Sequence, residues 1–343
     1  MEPLIIAGLT MLAVAIGLGP FIHALHRREI LDHPNERSSH SRPTPTGAGI
    51  VVLPMVILGW VALSATGYGA LAIETVIIIS ALSLLLATVS WIDDVRALPA
   101  LPRLIIHFLV AIAGVMLIPQ AKPAFLGLVP QWLETPIIVV AWVWFINLFN
   151  FMDGIDGISA AEIIVVNIGI VVLSVFAPEI GTMQPYSLVL IGAALGFLFW
   201  NRPPARIFLG DVGSAPLGFL LGWQIMTMSG AGATAAALII PGYYLADATL
   251  TVLRRLVRGE KIWHAHRDHF FQIAVRRGAS HREVTVTVFL VGLCLSGVAI
   301  LTTQGYTFLA IAIALVIIAL TLTWFARMKP RHKNSPGDPV DDD

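Results

Sequence analysis

The sequence predicts an all-α integral membrane protein, a polytopic bundle of about eleven transmembrane helices, and three observations carry that prediction. Of 343 residues, 57% are hydrophobic and 12% charged, against roughly 25% charged in an average soluble domain, and the mean hydropathy is +0.83. Apolar runs long enough to cross a bilayer recur along the chain; about 20 residues of helix suffice, because a helix satisfies its backbone polar groups internally. The basic residues gather between alternate pairs of those runs. Lipid is the solvent for most of this chain.

The runs lie near 3–25, 47–66, 74–92, 104–119, 136–150, 159–177, 187–200, 213–229, 231–251, 284–303 and 306–327. The first is expected to be retained: the chain opens Met1-Glu2-Pro3 and meets Arg27 and Arg28 only after the apolar stretch, the reverse of a cleavable signal peptide. Residues 1–328 are expected to form a single transmembrane catalytic domain. Residues 329–343, rich in Pro, Lys and Asp, are expected to be a disordered cytoplasmic tail. The single cysteine, Cys294, lies in an apolar run and excludes a disulfide framework.

With eleven spans, every Lys and Arg except Lys122 falls on one side. Short-loop cations mark the cytoplasmic face, so the N-terminus is expected in the periplasm and the C-terminus in the cytoplasm. The polar clusters share that side, which places function there. Net charge is zero, and no nucleic-acid partner is expected.

Asp93 and Asp94 end the third run. They suit Mg²⁺, which is typically held by one or two carboxylates plus substrate phosphates, or they are a solvated helix end. Asp211 sits in Leu209-Gly210-Asp211-Val212-Gly213-Ser214, where the glycines would let a ligand or metal approach closely; a helix N-cap is the alternative. Asp153 and Asp156 recur in Asn150-Phe151-Met152-Asp153-Gly154-Ile155-Asp156-Gly157, where the two Asp-Gly pairs favour a tight turn. Acidic sites on separate loops converging beside cations point to a metal and phosphate centre. His264, His266 and His269 share a loop with Arg258, Lys261 and Arg267, cations that would repel a transition metal, so phosphate binding fits better. The run from Arg37 through Arg42 and Thr44 to Gly49 reads as a flexible anion-gripping loop, without the Gly-Lys-Ser/Thr ending of a P-loop. Asp247, inside the ninth run, is costly in lipid unless paired, and Arg254, two turns along, is its expected partner.

On these residues the chain resembles the polyprenyl-phosphate N-acetylhexosamine-1-phosphate transferases, the WecA and MraY type of glycosyltransferase family 4. The motifs that carry the likeness are Asp32-x-Pro-Asn-x-Arg-x-x-His40, Thr44-Pro-Thr-Gly-x-Gly49, Asp93-Asp94, Asn150-x-x-Asp153-Gly-x-Asp156-Gly, Phe208-x-Gly-Asp211-x-Gly-Ser214 and the histidine loop. The forms Asn-Phe-Met-Asp-Gly-Ile-Asp-Gly and Ala-His-Arg-Asp-His-Phe-Phe-Gln look most like the branch that initiates O-antigen or capsule polysaccharides. The resemblance implies a multi-pass enzyme of the bacterial inner membrane, surrounded by membrane lipids, with its site on the cytoplasmic face. It implies transfer of an N-acetylamino-sugar 1-phosphate from a UDP-sugar to undecaprenyl phosphate, releasing UMP, with Mg²⁺ as cofactor and Mn²⁺ as a substitute.

By motif matching, Asp211 is the lead metal ligand, Asp93 the base or ligand acting on the lipid phosphate, and Asp94 its assistant. Asn150, Asp153 and Asp156 serve the nucleotide and metal region, Asp153 among the metal ligands, and His266 and His269 the catalytic phosphate chemistry. Arg42, Thr44, Arg103 and Arg267 are expected at the substrate, and Phe208 is expected to stack on uracil. Two positions depart from the family: Asp268 stands where a second histidine is usual, and Ala48 separates Gly47 from Gly49. The sugar and the oligomeric state, a homodimer included, stay open. The rival is an ion-coupled transporter, which would carry its polar residues near the midplane and show inverted repeats; here the acids cluster at one face and no repeat is visible.

Overall fold

The computed structural model describes residues 1–34, 39, 42–96, 98–118, 129–261 and 266–329. Arg37, His40, Lys122, His264 and the expected tail from residue 330 onward lie outside the described residues.

Helices occupy every run the sequence marks: α1 (Glu2–Arg27), α2 (Gly49–Ala65), α3 (Ile73–Arg96), α4 (Ala100–Val115), α5 (Gln131–Met152), α6 (Ile158–Phe176), α7 (Gln184–Asn201), α8 (Asp211–Gly230), α9 (Thr234–Ile239), α10 (Gly242–Val257), α11 (Phe270–Arg276), α12 (His281–Thr303) and α13 (Thr307–Arg327). Among the described residues, seven helical segments are long and apolar enough to cross a membrane: α1, α3, α5, α6, α7 with the 3₁₀ turn before it, α12 and α13. α2 and α4 are shorter apolar helices.

Two elements differ from the sequence reading. The ninth run is broken into α9 and α10 at Pro241, because proline has no N–H to give the helix and its ring crowds the preceding turn. A short helix, α11, stands between α10 and α12, its start closed by a capping box of His269 and Gln272.

α8 forms the axis of the bundle. All its residues from Val212 to Gly230 are buried, as an apolar helix without a polar face must be, and α2, α3 and α5 pack along it. Small residues on its surface let neighbours close in: the Trp142 ring stacks on Phe219 with centroids 4.8 Å apart, and its Nε1 donates to the Phe219 carbonyl at 3.0 Å. α1 packs on α7, and α6 on α7 and α12. Outward rows such as Leu4, Ile16, Leu58, Phe308 and Leu320 remain exposed, as lipid-facing side chains should.

The polar connections meet at one end of the bundle. Leu31–Asp32 (β1) pairs antiparallel with Thr44–Pro45 (β2), and Thr46 bridges to Phe208. Asp156 reaches Ala205 and His281, His281 Nε2 lies 3.2 Å from the Ser39 carbonyl, and Arg277 donates to the Met328 carbonyl at 3.2 Å after the last helix. The described part of the anion-gripping run is therefore anchored, contrary to the flexibility expected of it. Phe208 N donates to Pro45 O at 2.8 Å, and Gly47 N and Ala48 N donate to Phe208 O at 3.1 and 3.0 Å.

The start of α2 touches the start of α8 through backbone. A Cβ on Gly49 would stand 2.2 Å from the Gly213 Cα, and backbone there cannot rotate aside. Gly49→Ala is expected to cost about 3 kcal/mol, the upper end for overpacking, seen as a lower unfolding temperature in detergent. Gly8→Ala on α1, where nothing lies within 4 Å, should leave that temperature unchanged.

Candidate active site

Each acid reaches the site on a helix end. α3 stops at Arg96 and α4 starts at Ala100, after Pro99, so Asp93 and Asp94 face the first turn of α4. Asp93 is occupied on both oxygens: Oδ1 accepts from the Leu98 N–H at 2.7 Å, and Oδ2 forms an ion pair with Arg103. Asp94 is exposed and feels both Asp93 and Asp211 across the gap, with Arg103 opposing them.

Asp211 is the first residue of α8, and Gly210, at φ +73°, is its N-cap. The carboxylate is thus free of a capping role and is held by the Asn150 side chain, whose Nδ2 also donates to Ser214 Oγ at 2.8 Å. The flanking glycines admit the chain itself rather than a ligand: Gly210 abuts Gly47, and Gly213 abuts Gly49.

Asp153 follows α5, and its Oδ1 accepts from Ser159 Oγ at 2.6 Å. Burial pushes its carboxyl up to about 7; the Ser159 hydrogen bond opposes this, and Asp211 and Asp156 add to it. Asp156 has a different task. Its Oδ2 accepts from Ala205 N at 3.0 Å, and Oδ1 lies 3.3 Å from His281 Nδ1, tying the 153–157 turn to its neighbours. Asp93, Asp94, Asp153 and Asp211 therefore share one region, with Asp156 as its anchor.

Beside them opens a cavity of about 790 Å³. Arg103, Asn150 and Asp211 stand in its wall, and most of the rest is apolar, including Leu104, Phe108 and Trp144. Among the described residues, no three His, Cys, Asp or Glu side chains stand as a ready ligand set. The donors nevertheless fit a hard divalent cation: Mg²⁺ takes one or two carboxylates and completes its shell with water and phosphate, and Asp94 and Asp211 offer two. Arg103, the cation beside them, is itself paired with Asp93.

The histidine loop joins through α11, whose Phe271 and Gln272 pack on Gly154. His269 is only 2% exposed, its ring stacked between His266 and Phe271 and its Nδ1 3.2 Å from Asp247 Oδ1. The expected Asp247–Arg254 pair does not form. Asp247 accepts instead from Tyr243 Oη at 2.9 Å and from the Phe270 and Phe271 N–H groups at 2.9 and 3.2 Å; Arg254 donates to the Asp268 carbonyl at 2.9 Å and covers the Phe270 ring. Two turns of helix place Arg254 on the right face, but the nearer donors of α11 fill both carboxylate oxygens. His266 accepts at Nδ1 from Asp268 N at 3.3 Å, which leaves Nε2–H as its donor, and burial holds its pKa down at about 4. Arg42 is exposed and Arg267 half-buried at the same end. Thr44 is buried, donating to the Arg42 carbonyl at 3.1 Å, and Phe208 is half-buried in the loop before α8.

Sequence reasoning missed Ser159, His107 and His281. Ser159 and His281 lack any local pattern, whereas His107 was open to notice as a titratable group inside an apolar run.

The chain matches the profile described as glycosyl transferase family 4 across residues 76–229. It is 28% identical over 304 residues to the probable undecaprenyl-phosphate N-acetylglucosaminyl 1-phosphate transferase of Bacillus subtilis, covering 84% of this chain and 81% of that one. It is 27% identical over 354 residues to the decaprenyl-phosphate N-acetylglucosaminephosphotransferase of Mycolicibacterium smegmatis, covering 89% and 84%. A phospho-N-acetylmuramoyl-pentapeptide-transferase of Caldicellulosiruptor bescii is 24% identical over 323 residues, covering 87% and 96%. These relatives lend the transporter reading no support.

The Asp153 carboxyl yields a pH prediction. Between its ordinary 3.8 and about 7 the folded chain holds a proton that the unfolded chain has released, so this group's contribution to stability falls as pH rises through that window. In EDTA, the unfolding temperature of the wild type relative to Asp153→Asn should drop from pH 4 to 7, and Mg²⁺ should reduce the drop at pH 7. A difference between the two proteins that is flat in pH would refute the assignment.

Proposed function

We infer that this chain, which belongs to the polyprenyl-phosphate N-acetylhexosamine-1-phosphate transferases of glycosyl transferase family 4, moves an N-acetylamino-sugar 1-phosphate from a UDP-sugar to undecaprenyl phosphate. The products are undecaprenyl-diphospho-sugar and UMP, and the step initiates a cell-surface polysaccharide of the O-antigen type in the bacterial inner membrane. One observation carries the reading: Asp211, at the start of α8, stands in the wall of a largely apolar cavity and feels the charge of Asp93 at the end of α3, as Asp94 there feels that of Asp211, so that a charged nucleotide and a lipid phosphate can meet there.

With eleven crossings, α9 and α10 counting as one, the charge asymmetry of the loops supports a cytoplasmic position for this end. That is where nucleotide sugars are found. The apolar wall of the cavity suits the prenyl chain. An anionic oxygen of the lipid phosphate forms the new bond to the sugar-bearing phosphorus, the bond to the bridging oxygen breaks, and UMP leaves with that electron pair. Phosphoryl transfer of this kind rests on positioning and electrostatic stabilisation. Mg²⁺, when bound, supplies charge neutralisation. Asp94 and Asp211 would hold it, with Asp153 in reserve behind them, and Asn150 fixes the Asp211 carboxylate.

Arg103, oriented by Asp93, meets phosphate charge from the α4 side. His266 offers Nε2–H to an anion, and His269, locked by Asp247, holds the loop that presents it. Phe208 stacks on uracil, with Arg42, Thr44 and Arg267 near the nucleotide.

Membranes incubated with radiolabelled UDP-GlcNAc and undecaprenyl phosphate should give lipid-soluble label and UMP, dependent on Mg²⁺; UDP-GalNAc and 6-deoxy amino sugars tested in turn identify the donor. If none yields a labelled lipid, the reaction is not this one. Asp211→Asn should abolish turnover while insertion and expression stay normal, and near wild-type activity would remove its metal role. Phe208→Ala should weaken UDP binding; unchanged UDP affinity would end the stacking assignment.

A further inference from the structure

Beside Arg103, Asn150 and Asp211 the cavity wall holds three further polar side chains, Ser90, His107 and Asn147, and the last two stand as a pair. His107 follows Arg103 by four residues on α4, hence on the same face. Asn147 precedes Asn150 by three on α5. Both lie about one turn, roughly 5 Å, deeper along their helices, among Leu104, Phe108 and Val143.

Their hydrogen bonds fix the imidazole tautomer. Asn147 Nδ2 donates to the Val143 carbonyl at 2.7 Å and lies 3.1 Å from His107 Nδ1. One amide hydrogen goes to the carbonyl and the other to Nδ1, so Nδ1 is an acceptor and the neutral ring carries its hydrogen on Nε2. That N–H is a donor in the wall of a largely apolar space. A hydrocarbon chain filling the space would leave it unsatisfied, which is unfavourable. A polyprenyl phosphate has acceptor oxygens at one end only.

We propose that His107 is a specificity-determining residue for the lipid acceptor: its Nε2–H donates to an oxygen of the polyprenyl phosphate head and sets the depth, one turn below Arg103, at which that head rests. The proposal rests on reading the cavity as the acceptor site. A neutral donor suits this position, since it grips the phosphate without offering a second cation to the carboxylates across the mouth. Asn147 acts through His107, holding the tautomer.

The test uses the purified full-length protein, with binding of farnesyl phosphate and of farnesol followed by the fluorescence of Trp144 in the cavity wall, so it does not depend on the sugar donor. Wild type should bind both. His107→Phe should weaken farnesyl phosphate about tenfold, as expected for one hydrogen bond to a charged group, and leave farnesol unchanged, while His107→Gln, which restores a donor, should recover most of the loss. His107→Leu carries the same expectation if the phenylalanine variant does not fold. Equal weakening of both ligands, or none, overturns the role of His107. Binding of neither ligand by the wild type overturns the acceptor site itself and the proposal with it.

Discussion

The site depends on a contact that contains no side chain. Where α2 and α8 begin, Gly49 and Gly213 bring backbone against backbone, and a Cβ on Gly49 would fall 2.2 Å from the Gly213 Cα. Lipid tails are as apolar as the helices they surround, so hydrophobic burial gives helices little reason to prefer one another, and close packing and hydrogen bonding decide which surfaces meet. The bonds from Gly47, Ala48 and Gly49 to the carbonyls of Phe208 and Leu209 add direction to that closeness. Asp211 is thereby set relative to the 42–49 segment, and through Asn150 and Ser214 relative to α5.

Electrostatics then follows from placement. Charges in a low-dielectric surrounding interact far more strongly than in water, and each unpaired one is unfavourable. Asp93 and Arg103 pair, which fixes the α3–α4 corner and leaves one cation shared among three acids. Asp94 feels the charge of Asp211 with only that shared cation between them, and Asp153, buried and also feeling Asp211, is pushed toward its protonated form. An arrangement that is unfavourable alone becomes favourable once a cation and phosphates enter it. With Asp211 in the wall of an apolar cavity, the site offers one reactant a way in from water and the other a way in from the bilayer.

Most of this was legible in the sequence, for physical reasons. Hydrocarbon admits only long apolar helices, so eleven apolar runs appear as helices, and acids excluded from lipid have to collect at helix ends, so their convergence was readable from position. The break at Pro241 was written in the sequence as a proline and was hidden by the apolar residues on either side. α11 was hidden because its start is made by a long-range partner, Asp247, and by a cap from histidine, a residue that local rules do not favour there. The division of labour among the acids was also out of reach. Whether Asp93 or Asp94 is free depends on where Leu98 N and Arg103 fall after the turn, and the anchoring of Asp156 depends on His281, 125 residues away.

The departure at Asp268 has a structural counterpart. Asp268 Oδ2 accepts from Arg255 at 2.5 Å, so its carboxylate fastens the loop to α10, while its backbone carbonyl accepts from Arg254. A histidine there would forgo that ion pair. With Asp247 holding α11 from within the bundle and Asp268 holding the loop from its rim, His266 and His269 are kept in one stacked arrangement before any substrate arrives. The two acids thus hold the described end of the loop, residues 266–269, against α10. That placement matters because His266, with its ring hydrogen on Nε2, keeps a donor to offer an anion.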